Sequence, residues 1–459
     1  MSGYSSRVGG LRLFAEFPRQ IRSSLHRPPT PLARCRRICL REGVGDRVLD
    51  EDGDPEGSGG VSDRAEVSGL ACALAAQGGA QSDNVWRELR WMLRRWTLAH
   101  LWYRFRLPIR RQRWVRERGA ATRAFVKDAD ARLTNGSALA FGEFSGAHGL
   151  GRAAAYDLEA LRLRHSEVQA IDIGPYLNGR SPTALDLSPV DNVYFLCQPD
   201  TYGTVCRLLK RETIARAWRV GRWVWETPLF PEDWRFAETL VHEVWAPSEF
   251  CAATFRAALA VPVKVVPHAV RPPPISGIDM RARLGVPPGA FMGLAIMDIR
   301  SCPERKNPWA HVRAWKAAYG ADPDKVLVMK VRVSKRTRVV LDELRELIDN
   351  APNLRLVTEE MSDDEIAALH HAADLYLSLH RAEGFGLNIY EALLLGKRVV
   401  ATHWSANAEY GPRFPNYIGV RAQMTPYRDW LAHYSDGRFE WAEPMPSTTC
   451  NLVKADARH

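Results

Sequence analysis

Two glutamates, Glu383 and Glu391, flank a Gly-Phe-Gly turn that lies between a predicted strand and a predicted helix. The strand is the apolar run 375–379, and the helix covers 386–395. Backbone N–H groups at a helix N-terminus are free to bind an anion. Carboxylates on either side accept hydrogen bonds from hydroxyl groups. The pattern therefore predicts a site for an anion with hydroxyl groups on both sides, which is the shape of a sugar nucleotide.

A second group of charged residues follows another predicted strand. Arg300, Arg305 and Lys306 come after the apolar run 292–299 and precede a helix that begins at Pro308. Proline is favoured in the first turn of a helix, and cations beside that end suit a diphosphate. An Arg-Lys pair alone is usually a solvated surface feature. In open α/β sheets, however, ligands bind beyond the carboxyl ends of the strands, so we predict that these cations face an anion.

Strands and helices alternate through two long parts of the chain, 137–270 and 291–444, with a proline-rich linker at 271–290. Such alternation is typical of βαβ units and a parallel sheet. The predicted fold class is therefore α/β, with two Rossmann-like parallel-sheet lobes that face a cleft. The predicted strands are 138–144, 168–173, 192–197, 222–225, 241–246 and 263–266, then 292–299, 326–331, 354–357, 375–379 and 398–402. The predicted helices are 150–164, 248–260, 308–319, 338–348, 363–373 and 386–395.

The segment from Glu383 to Glu391 resembles the retaining glycosyltransferases of the GT-B fold, in the large family marked by Glu, seven residues, Glu. The resemblance covers roughly residues 137–444, and the second lobe matches best. It implies transfer of a hexose from a nucleotide sugar to an acceptor hydroxyl with retention of configuration, in polysaccharide or glycoconjugate synthesis. The acceptor would be a glycan or a lipid-linked molecule. Fixed cations and oriented amides would stabilise the charge of the departing nucleoside diphosphate.

The resemblance also implies a role for each residue of the two groups. Glu383 would bind hydroxyls of the transferred sugar, and Arg305 and Lys306 would neutralise the leaving group. Backbone N–H groups of 385–387 would hold the diphosphate, and Glu391 would bind the ribose. The implied donor-binding residues are Gly384, Phe385, Gly386, Leu387, Glu391 and Arg300. The alternative for Glu391 is a solvated residue at a helix start, where the helix dipole favours a carboxylate.

Three residues of the first lobe are predicted to lie on the acceptor side. His148 and Gly149 belong to a glycine-rich turn after the first strand, and Glu226 follows Trp225 in a tract found in similar enzymes. Small residues let the backbone approach a ligand, although glycines at helix entries are also ordinary turn residues. For His148 an acceptor-side base and a turn histidine both stay open. Trp225 is equally well a core residue, and His268 is expected to be structural.

The N-terminal part of the chain differs in composition. Residues 1–84 are rich in Arg, Ser, Gly and Pro, which predicts a disordered extension, with a transit peptide as an alternative. Residues 85–118 contain eleven arginines and two glutamates, so they hold nearly all of the net charge of +10. They predict a basic Trp/Arg amphipathic helix whose pattern ends at Pro108. This helix suits an anionic membrane surface through residues 85–107, or packs its Trp face on protein. Because the rest of the chain is nearly neutral, we expect no nucleic-acid partner.

We predict that neither a metal nor a cofactor is required. The Asp-x-Asp pairs 52/54 and 128/130 do not follow predicted strands, whereas metal-dependent glycosyltransferases hold their ion at a strand end. The eight cysteines form no Cys-x-x-Cys pair, which favours a reducing compartment. No run approaches the roughly 20 apolar residues that span a bilayer. We therefore expect a cytoplasmic protein, with contact at the inner face of the membrane as an alternative.

The C-terminal tail, 445–459, is short and polar. In the GT-B fold a final helix commonly returns to pack on the first lobe, and no such helix is predicted here. This departure leaves a second hypothesis open, in which the protein is a catalytically inactive scaffold that binds a nucleotide sugar or a glycan.

Overall fold

A computed structural model describes residues 98–146, 148–349 and 351–427, together with 434, 439–445, 449, 451 and 453. The described residues from 99 onward belong to one compact unit, Ala99–His459, and both parallel sheets lie within it. The predicted extension 1–84 and the start of the predicted basic helix lie outside the described residues. Among the described helices, none combines the length and apolar character needed to cross a bilayer.

The first lobe is built on a six-stranded parallel sheet with the order β2-β1-β3-β4-β5-β6. Its strands are β1 (Ser137–Gly142), β2 (Glu167–Asp172), β3 (Asn192–Leu196), β4 (Trp218–Arg222), β5 (Glu243–Ala246) and β6 (Val263–Val265). Its helices, after α1 (Leu98–Arg123), are α2 (Gly149–Arg164), α3 (Gly174–Leu177), α4 (Tyr202–Leu208), α5 (Arg211–Ile214) and α6 (Glu249–Arg256).

The second lobe is built on another six-stranded parallel sheet, with the order β12-β11-β10-β7-β8-β9. Its strands are β7 (Phe291–Asp298), β8 (Lys325–Arg332), β9 (Leu354–Val357), β10 (Leu375–Ser378), β11 (Arg398–Thr402) and β12 (Tyr417–Val420). Its helices are α7 (Met280–Arg283), α8 (Pro303–Lys306), α9 (Pro308–Tyr319), α10 (Arg338–Ile348), α11 (Asp363–Ala372), α12 (Leu387–Leu394) and α13 (Ala406–Tyr410). An antiparallel hairpin of β13 (Ala422–Pro426) and β14 (Glu440–Pro444) follows.

Each sheet separates two apolar cores. In β1, Leu139 lies in one buried cluster and Ala140 in another. In β7, Leu294 and Ala295 divide in the same way. Strands that are covered on both faces read as continuous apolar runs, which is why these segments lack an alternating polar pattern. The predicted fold class, α/β with two Rossmann-like lobes of the GT-B type, is confirmed by this architecture.

Two local predictions were wrong. The strand predicted at 222–225 lies earlier, at Trp218–Arg222. The N–H of Trp223 still donates to the carbonyl of Trp245 in β5 at 3.1 Å, but the backbone N–H and C=O of Val224 bond to the side-chain amide of Gln198, which ends the pairing. The helix predicted over 85–118, with an amphipathic pattern that ends at Pro108, is described from Leu98 and continues through this proline to Arg123. A proline removes one backbone hydrogen bond, and the turns after it have other support, since Arg111 pairs with Asp233 and Ala121 packs against the core.

Candidate active site

The predicted cations lie on a short helix at the carboxyl end of β7. Residues Pro303–Lys306 form α8, and the buried Sγ of Cys302 accepts the N–H of Arg305 at 3.4 Å. Asn307 then takes a left-handed conformation with φ 50° and joins α8 to α9. Asn307 can sit in this region because its short side chain tolerates it better than a branched one. The sharp bend holds Arg305 and Lys306 at the sheet edge.

Glu383 lies between both cations. Its carboxylate accepts from Nζ of Lys306, and its Oε2 is 3.1 Å from Nη1 of Arg305. The Glu383 side chain is only 12% exposed. Burial alone would raise the pKa of Glu383, but Lys306 and Arg305 lower this pKa to about 2. The group is therefore a carboxylate at neutral pH.

Arg305 is the most enclosed cation of the site, with 3% of its side chain exposed. Its Nη1 donates to the carbonyl of Ala382 at 3.2 Å, and its Nη2 donates to Oγ of Ser301 at 3.1 Å. Oε1 of Glu226, from the first lobe, lies 3.5 Å from Nη2. Burial alone would lower the pKa of Arg305, but Glu226, Tyr434 and Glu383 raise it well above its ordinary value. Arg305 is thus a permanent positive charge with a fixed orientation.

The Gly-Phe-Gly turn connects β10 to α12 and touches the first lobe. Gly386 precedes α12 with φ 79°, a conformation that glycine adopts without strain. The carbonyl of Gly384 accepts from Oγ of Ser248 at 2.8 Å and from Sγ of Cys251 at 3.2 Å. A Cβ on Gly384 would lie 2.6 Å from Cγ1 of Val224. The first lobe therefore holds the turn at Gly384, and the turn fixes the position of the start of α12.

Glu391 lies inside α12 and is fully buried. Its Oε1 accepts from Nη2 of Arg152 and from the hydroxyl of Tyr156, the latter at 3.1 Å. Both partners project from α2 of the first lobe. The residue predicted to bind a ribose is thus placed in a contact between the two lobes.

The three residues predicted for the acceptor side have different surroundings. His148 caps α2, where its Nδ1 accepts the N–H of Gly151 at 3.1 Å, and its Nε2 is 3.2 Å from Oε2 of Glu143. Gly149 is the first residue of α2, and a Cβ there would meet nothing within 4 Å. Glu226, in contrast, joins the cluster around Arg305 and accepts from the hydroxyl of Tyr434 at 3.3 Å. The structure brings Glu226 to the predicted donor residues and gives His148 a capping role.

Trp225 belongs to an aromatic cluster that spans the lobes. Its ring lies 5.3 Å from that of Tyr434 and 4.9 Å from that of Trp234. Tyr434 packs in turn with Trp441 of β14 and with Cys302, which caps α8. The hairpin therefore supports the helix that carries the cations. Sequence reasoning did not predict this hairpin, because the segment lacks a long apolar run.

Arg300 follows β7 at the same sheet edge. Its guanidinium forms an ion pair with Asp298 at 2.6 Å. Within the described residues no group of three His, Cys, Asp or Glu side chains is arranged to hold a metal ion. Asp128 and Asp130 lie before β1, where Oδ1 of Asp128 accepts the N–H of Asp130 at 2.9 Å. The prediction that no metal is required stays a prediction.

A buried charged cluster in the first lobe was missed by the sequence analysis. Asp157 accepts from Nε of Arg222 at 2.8 Å and lies 2.7 Å from Nδ1 of His268. The ring of His268 meets that of Phe385 edge-on, with 5.0 Å between centroids. The signal was the position of Asp157 on the apolar side of α2, beside Leu158 and Leu161, because an acid there requires a buried partner. The partner itself was not readable from the sequence.

A small cavity opens beside this cluster. It is lined by Glu143, Leu150, Asp157, Gln198, Arg222 and His268, among others. It lies past the carboxyl ends of β1 and β3, between which the strand order of the first sheet reverses. Such switch points are where open α/β sheets bind ligands. The cavity is therefore a second ligand-binding candidate, across the lobes from Glu383.

Comparison with known proteins gives one family match. Residues 339–410 match the family described as Glycosyl transferases group 1. The matched range contains Glu383, the Gly-Phe-Gly turn and Glu391, while Arg305 and Lys306 precede it. No protein of curated description matches the chain.

Many solved structures are similar in fold, among them the following three. HepE of Anabaena, in complex with UDP and glucose, is 16% identical over 70% of this chain and 90% of its own, with a TM-score of 0.47. A glycosyltransferase of Rickettsia africae is 15% identical over 60% of this chain and 82% of its own, with a TM-score of 0.44. A UDP-forming α,α-trehalose-phosphate synthase of Burkholderia xenovorans is 12% identical over 62% of this chain and 88% of its own, with a TM-score of 0.42.

Proposed function

We propose that the protein is a glycosyltransferase that moves a hexose from a nucleotide-diphosphate sugar to an acceptor hydroxyl, with retention of anomeric configuration. The observation that carries the proposal is the convergence of Arg305 and Lys306 on Glu383, beside the glycine turn that opens α12. The match of residues 339–410 to the group 1 glycosyl transferases supports it. The acceptor is a glycan or a lipid-linked hydroxyl in polysaccharide or glycoconjugate synthesis.

The donor diphosphate lies at the start of α12 on this proposal. Backbone N–H groups of Phe385, Gly386 and Leu387 donate to it, and Arg305 and Lys306 neutralise the charge that grows as the nucleoside diphosphate leaves. Preorganised donors and cations of this kind stabilise a transition state because they need no rearrangement as the charge develops. The cations also replace a metal, so transfer continues in the presence of EDTA.

Glu383 binds hydroxyls of the transferred sugar. Its carboxylate accepts hydrogen bonds from them while Lys306 and Arg305 hold it ionised. Because the carboxylate is engaged by the sugar hydroxyls and by the two cations, it does not act as a nucleophile. Retention then follows from attack of the acceptor on the same face that the diphosphate leaves, with the departing phosphate taking the acceptor proton.

The acceptor enters from the first lobe. The cavity beside Asp157 and Gln198 faces the second lobe through His268 and Phe385. Glu226 stands between the lobes, 3.5 Å from Arg305, and is suited to accept a hydrogen bond from the incoming hydroxyl. His148 and Gly149 shape the turn at the rim of this region.

A screen of UDP-, GDP- and ADP-linked hexoses by thermal shift, followed by a transfer assay, tests the proposal. A bound donor raises the melting temperature according to its affinity. Glu383→Gln and Lys306→Ala are expected to lower transfer by at least about 100-fold, with wild-type circular dichroism. Lys335→Ala, at an exposed position, is the matched control and retains activity.

The same assays define the contradicting results. Full transfer activity in both site variants would refute the assignment of the site. Tight binding of a nucleotide sugar without transfer or hydrolysis would favour the second candidate, an inactive nucleotide-sugar-binding scaffold.

A further inference from the structure

Arg152 reaches from the first lobe to the start of α12. It lies in the first turn of α2, directly after the glycine-rich turn. Its Nη2 donates to Glu391, and its Nη1 is 3.4 Å from Oδ1 of Asn388. Asn388 is the second residue of α12. The guanidinium therefore lies beside the helix end that is proposed to hold the donor diphosphate.

The surroundings of Arg152 orient its guanidinium without enclosing it. Its side chain keeps 16% exposure, while that of Glu391 has none. The contacts to Glu391 and Asn388 engage two of the five N–H donors of an arginine. Tyr156, one helical turn further along α2, donates its hydroxyl to the same Glu391 oxygen. Glu391 and Tyr156 thus form a fixed support for the partly exposed guanidinium of Arg152.

The position of Arg152 complements that of the other cations. Arg305 and Lys306 belong to the second lobe and contact Glu383, which precedes the glycine turn in the chain. Arg152 belongs to the first lobe and contacts α12, which follows that turn. A diphosphate at the first turn of α12 would have cations on both sides.

We propose that Arg152 is a donor-binding residue supplied by the first lobe, and that Glu391 positions it toward the diphosphate. This inference rests on the proposed function. It makes donor affinity depend on contact between the lobes, because both lobes supply cations to the diphosphate. It also gives Glu391 a role through Arg152, which engages its Oε1, in addition to the ribose contact that the sequence resemblance implies.

The test is calorimetric titration of the full-length protein with UDP, GDP and ADP and with their parent nucleosides. For Arg152→Gln we expect the Kd of the preferred nucleoside diphosphate to rise by about 10- to 100-fold, as for a lost charge-assisted hydrogen bond. The Kd of the parent nucleoside, which has no phosphate, stays within about twofold of wild type. A purely structural role of Arg152 would weaken the diphosphate and the nucleoside alike, which would overturn the inference.

Exchange of the two charges provides a second test. The double variant Arg152→Glu, Glu391→Arg restores an ion pair between the lobes but removes the cation from α2. We expect diphosphate affinity to stay at the level of Arg152→Gln, and its return to wild type would overturn the inference. Should the double variant fail to fold, Glu391→Gln replaces it, because it leaves Arg152 in place without its support. Diphosphate affinity should then fall by less than in Arg152→Gln, and an equal or larger fall would count against the inference.

The proposed function can fail separately. If the wild-type protein binds none of the three diphosphates, both the function and the inference are refuted. If the wild type and the control Lys335→Ala bind one of them, Lys306→Ala does not, and Arg152→Gln binds it as the wild type does, the inference alone is wrong.

Discussion

At the residue scale, the site depends on a carboxylate held between two cations. Glu383 is nearly buried, and a buried carboxylate without partners would take up a proton. Lys306 and Arg305 prevent this, and Glu226 gives Arg305 a second acid. The cluster therefore keeps its charges in a place where water is scarce and electrostatic interactions are strong.

Because of this pairing, the unfolding free energy of the protein should decrease at acid pH. The pKa of Glu383 in the folded protein, about 2, lies below its ordinary 4.5. A carboxylate whose pKa is lowered by folding adds to the unfolding free energy. This contribution is complete at pH values above the ordinary pKa, and it is lost as the pH falls toward the pKa of the folded protein. Between about pH 6 and about pH 3 the wild type should lose about 2 kcal/mol more unfolding free energy than Glu383→Gln.

Urea denaturation of both proteins across that pH range measures the difference. The variant serves as the control for all other acids, which titrate in both proteins. Parallel pH curves for the two proteins would show that Glu383 titrates normally, and the paired arrangement would then be wrong.

The residues of this cluster were readable from the sequence to different degrees. Arg305, Lys306 and Glu383 each follow a predicted strand, so their convergence was expected from the geometry of a parallel sheet. The pairs of Asp157 with Arg222 and of Arg152 with Glu391 were not expected. They join segments far apart in the chain, and no local pattern reports which buried charge meets which.

The glycine turn before α12 is the element that connects the candidate active site to the first lobe. Its first glycine packs so closely on the first lobe that a side chain would meet Val224 Cγ1 at 2.6 Å and the carbonyl of Trp225 at 3.0 Å. Its second glycine needs a positive φ. The turn is glycine-rich for steric and conformational reasons, in addition to any contact with a ligand.

Gly384→Ala tests this packing. The added methyl group has no room, so we expect unfolding free energy to fall by about 1–3 kcal/mol and donor affinity to fall with it. Gly149→Ala is the matched control, because its methyl group would meet nothing within 4 Å in a helix, and stability should change by less than about 0.5 kcal/mol. Equal stability of both variants in thermal denaturation would contradict the close contact.

Several elements were predicted with the bounds that the structure has. The helices Pro308–Tyr319 and Arg338–Ile348 and the strands Leu354–Val357 and Arg398–Thr402 have the predicted bounds. The four-residue helix α8, which carries both cations, was missed because one turn is too short to show a period of 3.6 residues. The shift of β4 reflects the side chain of Gln198, which bonds to the backbone of Val224 and ends the pairing with β5; a contact with a residue so far along the chain is not readable from a local pattern.

At the scale of the whole molecule, the two lobes are joined through the site. The carboxylate of Glu409, from the second lobe, accepts the N–H groups of Glu249 and Phe250 at the start of α6, at 2.8 and 2.7 Å. Ser248, which caps the same helix, donates to Gly384. Motion between the lobes would therefore move the glycine turn and the cations relative to the first lobe, so the proposed function implies that donor binding depends on lobe contact.

The decisive measurement is a structure of the full-length protein with its preferred nucleoside diphosphate. We expect phosphate oxygens within about 3 Å of Nζ of Lys306 and of the backbone N–H groups at the start of α12, with Glu383 facing the position of the sugar. Phosphates bound elsewhere, with Arg305, Lys306 and the start of α12 free of ligand, would contradict it.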